Sequence, residues 1–111
     1  MELQKLILAE DIFDALECGK KCTIRNGRRD IKLGHLLFES LDFKRTEVVN
    51  INTIIYTELQ NVPNDYVIND GFKSHEDMCQ KMRRFYPDIQ LNTECTVIVF
   101  DKFIVVRELQ F

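Results

Sequence analysis

Gly19-Lys20-Lys21-Cys22-Thr23-Ile24-Arg25, followed by Asn26-Gly27-Arg28-Arg29-Asp30 and then by Ile31-Lys32-Leu33-Gly34, gathers six basic side chains between two glycine-marked turns. A cluster this dense can hold an anion. The chain as a whole is not basic, because 15 Lys and Arg stand against 18 Asp and Glu, for a formal charge of −3. A general polyelectrolyte attraction to nucleic acid grows with the number of phosphates neutralised, so the overall balance excludes it. The positive charge is concentrated for local use.

Working outward from that stretch, the hydrophobic pattern marks the flanking elements. Leu3 to Leu8 reads as a short strand, and Ala9 to Cys18 as a helix whose Ile12, Phe13 and Leu16 share one face, with Gly19 where a helix stop belongs. Cys22 to Arg25 is strand-like and ends at the Asn26-Gly27 turn. His35 to Ser40 and the Val-, Ile-, Thr- and Tyr-rich Thr46 to Glu58 predict two more strands, separated by the polar loop Asp42 to Arg45. Ser74, with Asp77 three residues on, is a near capping box; Met78, Met82 and Phe85 then line one helical face before Tyr86-Pro87 ends it. Glu94 to Phe100 and Phe103 to Arg107 predict a hairpin turning at Asp101-Lys102. The order does not repeat as strand-helix-strand units. It predicts an α+β domain with a curled, largely antiparallel sheet.

The 111 residues, 45% hydrophobic and 30% charged, fit one domain with one continuous organisation. The longest apolar runs, Leu6 to Ala9 and Thr96 to Phe100, are far short of the roughly 20 residues of a membrane helix, and Met1-Glu2 does not open like a signal peptide. The expectation is a cytoplasmic protein with no membrane partner. In a reducing compartment Cys18, Cys22, Cys79 and Cys95 are expected to stay thiols. Their spacing, with His35 and His75 standing alone, predicts no metal site, and no cofactor motif is present.

A helix ending in Gly, then Lys-x-Thr-Ile-Arg, a basic turn closing on Gly before a strand, Asp70-Gly71-Phe72-x-Ser74 opening a helix that ends in Tyr86-Pro87, and an apolar strand ending in Phe100 together resemble the ASCH domain, of the PUA-like superfamily. The likeness runs from Ile12 through Phe100. It implies a PUA-like β-barrel of five to six mostly antiparallel strands with two or three flanking helices, spanning residues 1–111 as one domain. It also implies a basic cleft that takes RNA or a modified nucleoside. Some members deacylate N4-acetylcytidine with a Lys, a Thr and a Glu, and one branch is ribonuclease-like. Carried onto this chain, the resemblance assigns those roles to Lys21 as base, Thr23 as nucleophile and Asp70 as the acid. It implies binding by Lys20, Lys21, Arg25, Arg28 and Arg29.

Elementary chemistry bears on these residues directly. Lys21 and Thr23, two apart on a strand, should project to one side. A hydroxyl becomes a nucleophile only beside a base, and a lysine serves as one only if burial or a neighbouring cation lowers its pKa. Arg25 has the planar fork that suits phosphate or a base edge, whereas Arg28 and Arg29 sit on the turn and are expected to swing more freely. Tyr56, Tyr66 and Phe72 are candidates either for the core or for stacking on a base. His35 lies beside the basic turn as a candidate for proton transfer, and His75 reads as a surface residue.

Overall fold

The structure, a computed structural model, describes residues 4–102. Its five strands are β1 (Gln4–Leu8), β2 (Cys22–Asn26), β3 (Gly34–Ser40), β4 (Thr46–Glu58) and β5 (Glu94–Lys102). They form one sheet in the order β1-β3-β4-β5-β2. Only the β1–β3 pairing is parallel; the others are antiparallel. Three helices accompany the sheet: α1 (Glu10–Glu17), α2 (Asn64–Asn69) and α3 (His75–Met82). The sheet curls into a half-barrel, the α+β architecture of a PUA-like domain. No helix among the described residues is long and apolar enough to cross a membrane.

Both faces of the sheet are covered, which is why its strands alternate between two apolar clusters rather than between apolar and polar. Along β5, Cys95 and Val97 join a cluster with Met78, Cys79 and Met82 of α3 and Val67 of α2. The intervening Ile98 and Phe100 join Phe13 and Leu16 of α1, with Leu36, Phe38 and Val49. Phe38 and Phe100 meet edge to face at 5.2 Å between centroids. A register shift between Ile51 and Thr53 marks a bulge in β4. It moves the α1-facing positions from Val49 and Ile51 to Ile54, so one long strand can serve both halves of the curl.

The helix ends follow local chemistry. Ser74 Oγ accepts from the Asp77 backbone N–H at 3.0 Å, and the Asp77 carboxylate accepts from the Lys73 N–H at 2.9 Å. This is a capping box drawn one residue outward. Helix α3 stops at Met82, so Phe85 does not extend its buried face and is exposed, contrary to the sequence expectation. Helix α2, a six-residue turn after Pro63, has no apolar periodicity long enough to announce it. The expected turn at Asp101-Lys102 is not formed, because β5 continues through both residues, paired with Asn50 and Val49 of β4. The Phe103 to Arg107 strand expected after it lies outside the described residues.

Candidate functional site

The outermost strands, β1 and β2, are the two edges of the curled sheet, and the space they share with α1 and the segment after α3 is a cavity of about 800 Å³. Arg25 bridges the edges directly, its Nη2 donating to the Ile7 carbonyl at 3.2 Å. Lys20, Thr23, Arg25 and Asp70 all line this cavity, together with Ile12, Phe72, Met82 and Tyr86. Lys21, Arg28 and Arg29 do not.

Lys20 takes the place that the motif reading gave to Lys21, and the reason is the end of α1. Gly19 adopts φ +98°, the left-handed conformation that a β-carbon disfavours, and the Lys20 N–H reaches back to the Ala15 carbonyl at 3.1 Å. The reversal turns Lys20 inward. Lys21 is then pinned by its backbone, its N–H donating to Asn69 Oδ1 at 2.7 Å and its carbonyl accepting from Phe100 N–H at 2.8 Å, and its side chain is exposed. Thr23 pairs with Ile98 across the β2–β5 ladder, so it faces the α1 side of the sheet, while Ile24 packs into the α2–α3 cluster. Lys21 and Thr23 therefore do not share a surface, as their spacing had suggested.

Asp70 arrives from the other side of the chain. It caps the C-terminus of α2, where Gly71 at φ +96° ends the helix, and Asn69 ties this corner to the α1–β2 turn by donating to the Gly19 carbonyl at 3.3 Å. The Asp70 carboxylate forms an ion pair with Lys20 Nζ. Both side chains are nearly inaccessible, at 3% and 9% exposure. A carboxylate at a helix C-terminus faces the negative end of the dipole, and the lysine offsets that. Burial pushes the Lys20 ammonium down to about 8; the Cys22 sulfur opposes this and the Arg25 guanidinium adds to it. The Asp70 carboxylate in contact with it pulls back toward the charged form.

Arg25 Nε donates to Thr23 Oγ1 at 3.2 Å. The hydroxyl oxygen thus accepts from the arginine, leaving its proton for another partner. Burial pushes the Arg25 guanidinium down, the Tyr86 oxygen offsets part of this by charge and hydrogen bonding, and Arg29 adds to the push. Cys22 lies beneath the site, its thiol pushed up to about 11 by burial, so it stays neutral and is no nucleophile.

The basic turn is tied down by several hydrogen bonds of Arg29. The Arg29 N–H donates to Thr96 Oγ1 at 2.8 Å, its Nε to the Asn26 carbonyl at 2.9 Å and its Nη2 to the Tyr86 hydroxyl at 3.3 Å. Its carbonyl accepts from Tyr56 at 2.8 Å. Arg28 lies over the Tyr56 ring at 3.8 Å. Tyr56 is thus occupied, Tyr66 packs against the α2–α3 cluster, and of the three aromatic candidates only Phe72 reaches the cavity. His35 is exposed beside this turn and does not line the cavity. His75 is not a plain surface residue: it is half-buried, with Nε2 at 2.7 Å from the Val62 carbonyl. All four cysteines are free thiols, and no group of three or more His, Cys, Asp or Glu among the described residues is arranged to hold a metal.

The cavity is less basic than the local sequence implies. Lys20, Arg25, Lys81 and Arg84 face Asp11, Asp70 and Asp77. Each of these acids already has a cation: Asp70 has Lys20, Asp77 has Lys81 at 3.2 Å, and Asp11 has Arg84 at 2.8 Å. Sequence reasoning missed Tyr86, Asp11 and Arg84 as cavity residues, although Tyr86-Pro87 marked where the chain leaves α3.

Solved structures, ASCH domains among them, match this five-stranded half-barrel over most of the chain. The ASCH domain of Lactobacillus crispatus superposes with a TM-score of 0.68 at 13% identity, covering 91% of this chain and 79% of that one. An ASCH protein of Zymomonas mobilis gives 0.62 at 14%, covering 88% and 66%. A Pyrococcus furiosus protein solved by NMR gives 0.59 at 20%, covering 91% and 97%. This chain has the ASCH-type, PUA-like fold. No family model and no curated protein matches the sequence.

Proposed function

We propose that the protein binds a nucleoside, free or as part of an RNA, in the cavity between β1 and β2. The observation that carries this reading is the convergence of Asp70 with Lys20, Thr23 and Arg25, remote from it in sequence, on one cavity that also presents Ile12, Phe72 and Met82. Ligand sites typically occupy about 300–1,000 Å³ and combine apolar walls with a few fixed polar groups. A nucleobase needs both, a flat apolar contact for its faces and donors and acceptors for its edge. Asp70 is the acceptor for an exocyclic amine, while Arg25 and Thr23 offer donors to ring or carbonyl atoms. Because the acids of the cavity are matched by cations, the pocket suits a single nucleoside unit better than a long phosphate backbone.

The lining of one cavity by Lys20 and Thr23, with burial favouring the neutral lysine amine, supports a second reading, deacylation of an N4-acylated cytidine. In that chemistry Lys20, in the role first assigned to Lys21, takes the Thr23 proton as Oγ1 attacks the acyl carbon. The tetrahedral intermediate collapses with transfer of the proton to the departing cytidine amine, and water then hydrolyses the acyl-threonine. One experiment addresses both readings. Titration with cytidine and N4-acetylcytidine, followed by amide NMR, is expected to shift resonances of Lys20, Thr23 and Asp70; no saturable shift at millimolar ligand would end the binding proposal. Chromatography of the N4-acetylcytidine sample then looks for cytidine, and turnover that survives Thr23→Ala would remove the threonine from the mechanism.

A further inference from the structure

A phenol oxygen at the cavity is held by one arginine and has a second arginine near it. Tyr86 lines the cavity just past α3, half-buried, with its ring edge to face against Phe85 at 6.4 Å. Arg29 Nη2 donates to its hydroxyl oxygen at 3.3 Å, and Arg25 lines the same cavity close enough for the phenol to offset part of the cost of its burial. A guanidinium has donors and no acceptor, so Arg29 can engage only a lone pair of that oxygen. The single O–H of Tyr86 therefore has no acceptor in the hydrogen bonds of the described residues. Arg29 cannot turn to offer another arrangement, since its N–H, Nε and carbonyl are each engaged by Thr96, Asn26 and Tyr56.

Charge points the same way. The other cavity cations, Lys20, Lys81 and Arg84, each have a carboxylate, whereas Arg25, and Arg29 outside the cavity lining, have none among the described residues. Arg25, whose guanidinium is pushed down by burial and has no counter-ion among the described residues, is a charge left uncompensated. Arg25 spends Nε on Thr23 and Nη2 on Ile7, and Nη1 remains unengaged in those bonds. An Arg N–H and a Tyr O–H, backed by a second arginine, form a donor set for an anionic oxygen.

We propose that the ligand of this cavity carries a phosphate, and that Tyr86 donates its hydroxyl to a phosphate oxygen beside Arg25 while Arg29 holds the phenol in place. The inference rests on the nucleoside reading and narrows it, from a neutral nucleoside to a nucleotide or a phosphorylated RNA end. Tyr86 is then a binding residue and Arg29 a positioning residue.

The full chain and Tyr86→Phe are titrated with cytidine, cytidine 5′-monophosphate and inorganic phosphate, reading the amide signals of the cavity and the Arg25 Nε–H resonance. The monophosphate is expected to bind wild type at least about tenfold more tightly than cytidine, as suits a charge-assisted hydrogen bond, and phosphate alone should shift the Arg25 signal. Tyr86→Phe should lose most of that advantage while keeping its affinity for cytidine. Equal wild-type affinities for cytidine and the monophosphate, with phosphate silent at Arg25, would overturn the proposal, and this comparison decides the anion whether or not the variant folds. A Tyr86→Phe protein that binds the monophosphate as tightly as wild type would remove Tyr86 from it. Phosphate or monophosphate shifting Arg25 in wild type more strongly than in Tyr86→Phe, with cytidine bound nowhere, would sustain the anion site and discard the nucleoside reading.

Discussion

Lys20 and Asp70 show how one residue pair sets both the cost and the chemistry of the site. Each is nearly inaccessible, so each charge has been taken out of water, and the pair is tolerable because the charges touch. Removing one partner of such a pair typically costs about 3–5 kcal/mol. Burial already pushes Lys20 down to about 8 in wild type, and in Asp70→Asn burial and Arg25 act on it without a counter-ion, so its folded-state pKa falls further below the ordinary 10.5. A group whose pKa is lower when folded leaves the unfolded chain holding the extra proton, so stability rises with pH from the folded-state value up to 10.5, and in Asp70→Asn that rise begins at lower pH than in wild type. Urea midpoints of wild type and Asp70→Asn at pH 7.5 and 9.5 should therefore converge as pH rises. The buried thiols Cys22 and Cys95 titrate in both proteins and cancel in the difference. A gap that stays constant or widens would mean that Lys20 is not an ammonium held by Asp70.

At the scale of elements, the site depends on how α1 ends. The left-handed Gly19 and the Lys20-to-Ala15 hydrogen bond close the helix, and Asn69 clamps the same corner from α2. A β-carbon at residue 19 would meet no atom within 4 Å, so Gly19→Ala tests backbone conformation alone. The left-handed region costs an L-residue roughly 1–2 kcal/mol, and that loss should appear in urea denaturation. Because the same turn aims Lys20 inward, the variant should also bind nucleoside more weakly than its lost stability explains. Unchanged stability would show that the turn relaxes without strain.

For the whole molecule, the formal charge of −3 and the paired acids of the cavity limit long-range attraction to nucleic acid. If RNA binds through one nucleotide unit at the cavity, log affinity should fall with log salt at about −0.7 per phosphate contacted, no steeper than about −2 in total. Fluorescence anisotropy with a short labelled RNA across a salt series measures this. A slope near −5 would instead place an extended phosphate track on the basic turn, where Arg28 stacks on Tyr56 and Arg29 is tied down.

By itself the sequence determined the order of the strands along the chain, the two longer helices and the α+β architecture, because alternation, capping residues and turn glycines are local signals. Thr46 to Glu58 and Ser74 are legible without any partner in space. The sequence also marked Thr23, Arg25 and Asp70, through residue types and their order in a family-like pattern. Which lysine enters the cavity was decided only by tertiary structure, since a left-handed glycine rotates everything after it and no spacing rule anticipates that rotation. The same holds for Tyr86 beside two arginines and for the exchange of faces at the β4 bulge. Those relations join residues tens of positions apart, and they exist only once the sheet has curled far enough for its two edge strands to face each other.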